Sequence, residues 1–347
     1  MSIPIKDTLG MLGDNLRKRG SVMPVSRRKA TAWARGLELP REGPTVLYTG
    51  QMYQLVPAIN AMTERLAKME DSWMAGYFGL ARRINRLVNL VSVMARGDPE
   101  EIREYDAYLR NIASLLRAAG VPFGYLYEDD LYAGALAYDE GLDDALKAHA
   151  QVVYRRLREH GVREVITVDP HTTEMLRDVY PRIVPGYDLK VRTYLEVLAE
   201  RRPAPKVLLR EQVTIHDSCI YARREGVIAQ PRELLQRGGI SIAEVDLSGK
   251  ATHCCGGPIE MLFPQRSNDI ARKRVDQLRA RSDKIVTLCP LCLANLRRVA
   301  PAGTEITDVS GYLARAYCPV LSTSARVATV QEPGGAAPAL VAAEATS

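Results

Sequence analysis

The sequence predicts an α/β fold built from two pseudo-repeated domains. Three observations carry that expectation. Short apolar runs such as Val213-Thr-Ile215 and Lys284-Ile-Val-Thr-Leu288 read as buried strands, and turn and helix signals follow each. The strand–proline–helix pattern of Glu164-Val-Ile-Thr-Val-Asp-Pro-His-Thr-Thr-Glu-Met-Leu176 recurs as Lys284-Ile-Val-Thr-Leu-Cys-Pro-Leu-Cys-Leu-Ala-Asn-Leu296. Five of the six cysteines stand just after such strands or in the loops between them. Alternating strands and helices place such loops together at one edge of a sheet.

Residues 1–45 read as a basic extension, with Arg17-Lys-Arg19 and Arg27-Arg-Lys29. A first, cysteine-free domain is expected over residues 46–203. It carries a helical insertion at about 65–119, where Ala67–Arg96 and Asp98–Ala119 have helical spacing and Pro99-Glu-Glu101 marks a helix start. That insertion is either a partner surface or a cap on the domain. The apolar stretch Leu87–Met94 is too short to span a membrane and reads as a core helix or a docking face. The cysteine-bearing domain is expected over residues 204–318, followed by a disordered tail rich in Ala, Gly, Pro, Ser and Thr at 319–347.

A chain of 347 residues has room for two domains, and its 46% hydrophobic and 25% charged content is that of a globular protein. The formal net charge of +6 admits an acidic protein partner as well as a solvated basic surface. Nucleic acid is not expected, because no stacking aromatics interleave with the basic residues. Met1-Ser-Ile-Pro-Ile-Lys6 has no signal-peptide apolar region, so a cytoplasmic chain is expected, with any membrane association made through partners. In a reducing compartment, grouped cysteines point to metal or redox work.

The cysteines are spaced C-x34-C-C-G-x32-C-x2-C: Cys219, Cys254, Cys255, Cys289 and Cys292. Five thiols exceed the four ligands of tetrahedral zinc, and soft thiolates suit iron–sulfur ligation. Zinc on four of the five is the competing reading, and a strained vicinal disulfide at Cys254-Cys255 is a weaker one. Gly256-Gly257 permits the backbone that two adjacent ligands demand. His216 and His253 flank ligand cysteines, where they could donate to cluster sulfur, act as general acids, or only make packing hydrogen bonds. Cys254, Cys255, His216 and His253 are the candidate catalytic residues. His149 and His160 read as surface residues, the Glu128-Asp129-Asp130 run as a solvated loop, and Cys318 as a free thiol outside the motif.

The runs Ile215-His-Asp-Ser-Cys219, His253-Cys-Cys-Gly-Gly257 and Thr287-Leu-Cys-Pro-Leu-Cys292 resemble the CCG cysteine-rich domain found in the B and D components of heterodisulfide reductase. The iron–sulfur subunits of glycolate, lactate and glycerol-3-phosphate dehydrogenases are similar. The resemblance covers roughly Val207 to Ala316. It implies a non-cubane [4Fe–4S] cluster on Cys219, Cys254, Cys255, Cys289 and Cys292, in an oxidoreductase subunit that performs thiol–disulfide chemistry. It also implies partners: a ferredoxin-like [4Fe–4S] subunit, a flavoprotein or membrane cytochrome subunit, and a disulfide or thiol substrate. An electron-transfer subunit of a flavin-linked 2-hydroxyacid or succinate dehydrogenase complex is the alternative, and a zinc-stabilised structural subunit the second. The first half then looks like a CCG domain without ligands, with Gln51, Tyr132, Ala133, Asp169 and Thr172 at the former cysteine positions. Its Asp169, His171 and Tyr132 are expected to shape a pocket or donate protons.

Overall fold

The structure, a computed structural model, describes residues 5–23, 25–69, 85 and 97–319. Most of Ala67–Arg96, including Leu87–Met94, and the tail 320–347 lie outside the described residues. Two parallel sheets form the frame, as the α/β expectation requires. The first has the order β1-β2-β3: β1 Thr45–Tyr48, β2 Glu164–Thr167 and β3 Lys190–Thr193. The second has the order β5-β4-β6-β7: β4 Gln212–His216, β5 Ser241–Ile242, β6 Lys284–Thr287 and β7 Glu305–Asp308.

Central strands buried on both faces need continuous apolar runs. Val46, Leu47, Val165, Ile166, Val213, Ile215, Ile285 and Val286 supply them, and all are buried. Register pairs Ile215 with Val286 and His216 with Thr287, so β4 and β6 end side by side. Their C-terminal ends therefore deliver Cys219 and Cys289 to the same edge. In the first sheet, β1 also bridges Gly124 in parallel through Val46, on the side that β5 occupies against β4.

Each sheet has a helix headed by proline directly after a central strand. Pro170–Glu174 follows β2 and is capped by Asp169, whose carboxylate accepts from the Thr172 N–H at 2.9 Å. Pro290–Val299 follows β6, with Cys289 at the N-cap position. Proline suits the first helical position because its missing N–H would be unpaired there anyway.

The helix Pro99–Ala118 joins the two halves. An Asp98 side chain caps it by accepting from the Glu100 N–H. It buries Tyr105, Tyr108, Leu109, Ile112 and Leu116 and packs against the helix Val309–Tyr317. Arg297 forks onto Glu104 at 2.7 and 2.8 Å, and the Tyr105 hydroxyl donates to the Pro290 carbonyl at 3.3 Å. The described part of the expected insertion thus packs one face between the two halves. Among the described residues, no helix is long and apolar enough to cross a membrane.

Two local expectations are corrected. His149 is buried, and its Nε2 lies 2.7 Å from the Tyr132 carbonyl. Its helix turns that position inward together with Ala145, Leu146, Ala150 and Val153. Asp130 is likewise buried, accepting from the Thr49 backbone N–H at 3.1 Å and from the Thr49 hydroxyl. His160 is half-buried, with Nε2 2.8 Å from Asp129. Cys318 is buried, and its thiol lies 3.6 Å from the Ser114 carbonyl.

Candidate metal centre

Three chain segments bring the five motif cysteines into one run of contacts. Cys219 opens a helix that begins three residues beyond β4. Cys254 and Cys255 come from the loop after the 3₁₀ turn Gly249–Ala251, and Cys289 and Cys292 head the helix Pro290–Val299. The side chains adjoin one after another: Cys219 lies beside Cys254, Cys254 beside Cys255, Cys255 beside Cys292, and Cys292 beside Cys289.

Polar anchors hold these segments. The Asp217 carboxylate receives both ends of the Arg232 fork at 2.8 Å and the Gly249 N–H at 2.7 Å. The Thr252 hydroxyl donates to the Asp217 carbonyl at 3.0 Å. The end of β4 is thereby pinned to the loop that carries Cys254. Gly256 has φ +83°, and a Cβ there would lie 2.6 Å from the Ser267 carbonyl oxygen. Only glycine fits this turn after the cysteine pair. Its N–H approaches the Cys254 sulfur at 3.3 Å.

The thiols differ in character. The neighbouring thiols of Cys219, then Cys255, bring Cys254 down to about 2. Burial opposes ionisation of Cys289, but the adjacent Cys292 and the His171 ring hold it well below the usual thiol range. Cys219 is raised by its neighbour Cys254, Cys255 likewise, and Cys292 by its neighbour Cys255. Cys255, Cys289 and Cys292 are buried, while Cys219 and Cys254 are partly exposed. The centre opens to solvent on the Cys219–Cys254 side.

Two histidines border it. His216 is buried; burial, then the Arg274 charge, holds it at about 3, so it is neutral. Its ligating atom and the sulfurs of Cys255 and Cys292 all lie within 4.8 Å of one another. His171 comes from the first half and its ring lies against Cys289. Its Nδ1 has no hydrogen-bond partner and sits 3.7 Å from Asp139, which leaves the other ring nitrogen for Cys289. Burial opposes its charge, but Cys289, then Asp139 and Asp169, raise it to about 9. His253, in contrast, is exposed and pairs with Gln277 at 3.0 Å.

Sequence reasoning did not single out Arg274 or Asp139 as neighbours of the site. Arg274 had a readable signal: it falls in the buried stripe Ser267, Ala271, Val275 and Leu278 of the helix Pro264–Arg279.

The first-half residues that the sequence aligns with the cysteines make other contacts. The Gln51 side chain donates to the Asp130 carbonyl at 2.8 Å, and the Tyr132 hydroxyl accepts from the Leu136 N–H at 2.7 Å. The Thr172 hydroxyl donates to the Thr49 carbonyl at 3.3 Å. A Cβ on Gly50 would strike Thr172 at 2.4 Å, so the pocket is closed by packing.

This arrangement agrees with what the chain is similar to. Residues 213–297 match the CCG cysteine-rich domain. The match contains all five contacting cysteines. The EtfAB:quinone oxidoreductase of Syntrophomonas wolfei is 28% identical over 286 residues, 71% of this chain and 39% of that protein. The probable iron–sulfur-binding oxidoreductase FadF of Bacillus subtilis is 29% identical over 194 residues, 54% of this chain and 27% of that protein. The D component of the dihydromethanophenazine:CoB–CoM heterodisulfide reductase of Methanosarcina acetivorans is 26% identical over 217 residues, 58% of this chain and 53% of that protein. The chain therefore spans between about a quarter and a half of the length of these curated relatives.

The CCG donor set fits an iron–sulfur cluster. Five sulfur donors on one contact run are one more than a single tetrahedral ion takes. Five adjacent thiolates repel one another unless a multiply charged centre binds them. A buried ring nitrogen, His216 Nε2, lacks a protein hydrogen-bond partner at the edge of this sulfur cluster.

Proposed function

We propose that this protein is an iron–sulfur oxidoreductase subunit, resembling heterodisulfide reductase, that carries one non-cubane [4Fe–4S] cluster on Cys219, Cys254, Cys255, Cys289 and Cys292. The observation that supports it is the continuous run of five sulfur contacts within the CCG match. Such a cluster supplies one-electron steps and an iron site that a substrate sulfur can reach.

The chain's own residues set the conditions. Burial of Cys255, Cys289 and Cys292 excludes water from the inner side, and the open Cys219–Cys254 side admits a thiol or disulfide. The helix N-terminus at Pro290 turns backbone N–H groups toward the sulfurs, which favours thiolate. His171, His216 and the Gly256 N–H give the sulfurs further polar neighbours. The first half, filled by packed side chains at the corresponding positions, serves as a lid that contributes His171. We further propose that the two halves, residues 46–203 and 204–318, are a duplicated unit in which the second copy kept its ligands. The shared parallel strand order supports this.

The relative with the widest coverage of this chain among those above, an EtfAB:quinone oxidoreductase, favours a second reading. In it the cluster relays electrons between a flavoprotein and quinone without its own substrate. In either case a ferredoxin-like iron–sulfur donor would bring electrons within reach of the cluster.

Iron and acid-labile sulfide analysis of anaerobically purified protein, with EPR after oxidation, tests the main reading. About four iron and four sulfide per chain are expected, and Cys254→Ser should lose both. One zinc and no sulfide overturns it. A change in the EPR spectrum on adding a thiol favours thiol–disulfide chemistry, and an unchanged spectrum favours the relay.

A further inference from the structure

We infer that Arg274 is a positioning residue that holds His216 as its Nε2–H tautomer, making His216 a hydrogen-bond donor to the sulfur centre and not one of its ligands. The inference rests on a metal centre at the five cysteines and assigns a role that the cysteine motif does not contain.

Guanidinium groups can only donate hydrogen bonds. Arg274 Nε lies 3.0 Å from His216 Nδ1, so Nδ1 is the acceptor. A proton on Nδ1 would face the Arg274 N–H donor to donor. The ring proton therefore resides on Nε2. That atom is buried and has no protein hydrogen-bond partner. A ring nitrogen of His216 lies within 4.8 Å of the Cys255 and Cys292 sulfurs, and with Nδ1 taken by Arg274 we assign that place to Nε2.

Arg274 cannot swing away. It is fully buried, and its other nitrogens donate to the Leu247 carbonyl at 3.0 Å, Gln277 Oε1 at 3.1 Å and Thr252 Oγ1 at 3.3 Å. Thr252 is fixed in turn by the Asp217 carbonyl, two residues before Cys219. The helix Pro264–Arg279 thus reads the position of the cysteine loop and sets the histidine to match it.

The consequence is chemical. An Nε2–H nitrogen has no lone pair for a metal, so His216, Cys255 and Cys292 do not form a Cys₂His site for a single zinc ion. His216 instead donates toward sulfur, which stabilises the reduced, more negative state of a cluster.

Two-bond 1H–15N correlation NMR of protein labelled with 15N-histidine reads the tautomer directly, in metal-free protein and after adding zinc alone. The expected result is the Nε2–H pattern for His216 in both states. A protonated Nδ1, or an Nε2 shift diagnostic of metal binding, overturns the inference whatever the fate of the cluster. Arg274→Gln keeps a donor and should retain the pattern. Arg274→Met should lose it and, in iron-loaded protein with undiminished iron content, lower the midpoint potential. Identical spectra for wild type and Arg274→Met would also overturn it. Iron and sulfide content decides the cluster reading separately, so the two failures are distinguishable.

Discussion

His171, from the cysteine-free half, lies against Cys289 of the motif-bearing half, and the two groups act on each other electrostatically. The contact crosses between the two sheets: His171 stands in the first turn of the helix Pro170–Glu174 after β2, and Cys289 at the N-cap of the helix Pro290–Val299 after β6. When the strand–proline–helix runs of the two halves are superposed residue by residue, His171 corresponds to Leu291. Replacing it with that residue, His171→Leu, removes a polar neighbour of sulfur without adding bulk. Iron content should be retained, while the midpoint potential falls. EPR-monitored redox titration checks this, and an unchanged potential would count against a role for the first half at the centre.

Gly256→Ala should destabilise the protein and impair metal loading. A left-handed φ costs a residue with a Cβ roughly 1–2 kcal/mol. Here the Cβ also meets the Ser267 carbonyl at 2.6 Å, which is backbone and cannot rotate away. A loss of about 2 kcal/mol or more is expected by denaturant titration. Gly303→Ala has a similar φ of +83° with open space around it and should lose less.

Asp130 makes stability depend on pH. Burial, opposed by hydrogen bonds from Thr49, raises its folded-state pKa from 3.8 to about 7. Tyr48 and Tyr125 face it and stay neutral in this range. The folded state therefore holds a proton that the unfolded chain releases between these values. Stability from this group is full below the unfolded pKa and falls as pH rises through about 7. The total fall is on the order of 2–4 kcal/mol. Asp130→Asn keeps an acceptor for the Thr49 N–H and should flatten the profile of urea-unfolding free energy between pH 3.8 and about 7, the window set by the two pKa values.

Glu104→Ala should loosen the joint between the halves. It removes both hydrogen bonds of the Arg297 fork and leaves a mostly buried guanidinium without its carboxylate. Hydrogen bonds to charged groups contribute about 1.5–3 kcal/mol each time a partner is removed. Glu104→Gln keeps one acceptor and should cost less. Thermal unfolding of the three proteins gives the order.

Much of the site was legible because cysteine spacing and strand periodicity are local signals. Val213–Ile215 and Lys284–Leu288 were readable as strands from their apolar runs, and Pro290 as a helix start. The turn at Gly256 could be anticipated from two adjacent cysteines. His149 and Asp130 were misjudged for the opposite reason. Polar residues in helices and loops are usually solvated, and only neighbouring elements show when they are not. Tyr132 turns its carbonyl to His149, and Thr49 offers both donors to Asp130.

The sequence by itself determined the donor set, five soft sulfurs in three groups, and the α/β pattern that carries them to strand ends. Those properties depend on residue identity and on periods of two and 3.6 residues, which no packing is needed to read. Tertiary structure alone decided which other groups meet the sulfurs. His171 arrives from another sheet, Arg274 from a helix 58 residues beyond His216, and the open side of the centre is set by which cysteines the helices cover. Contacts between residues so far apart follow from how side chains fill the shared core, a property of the packed whole that no local stretch of chain encodes.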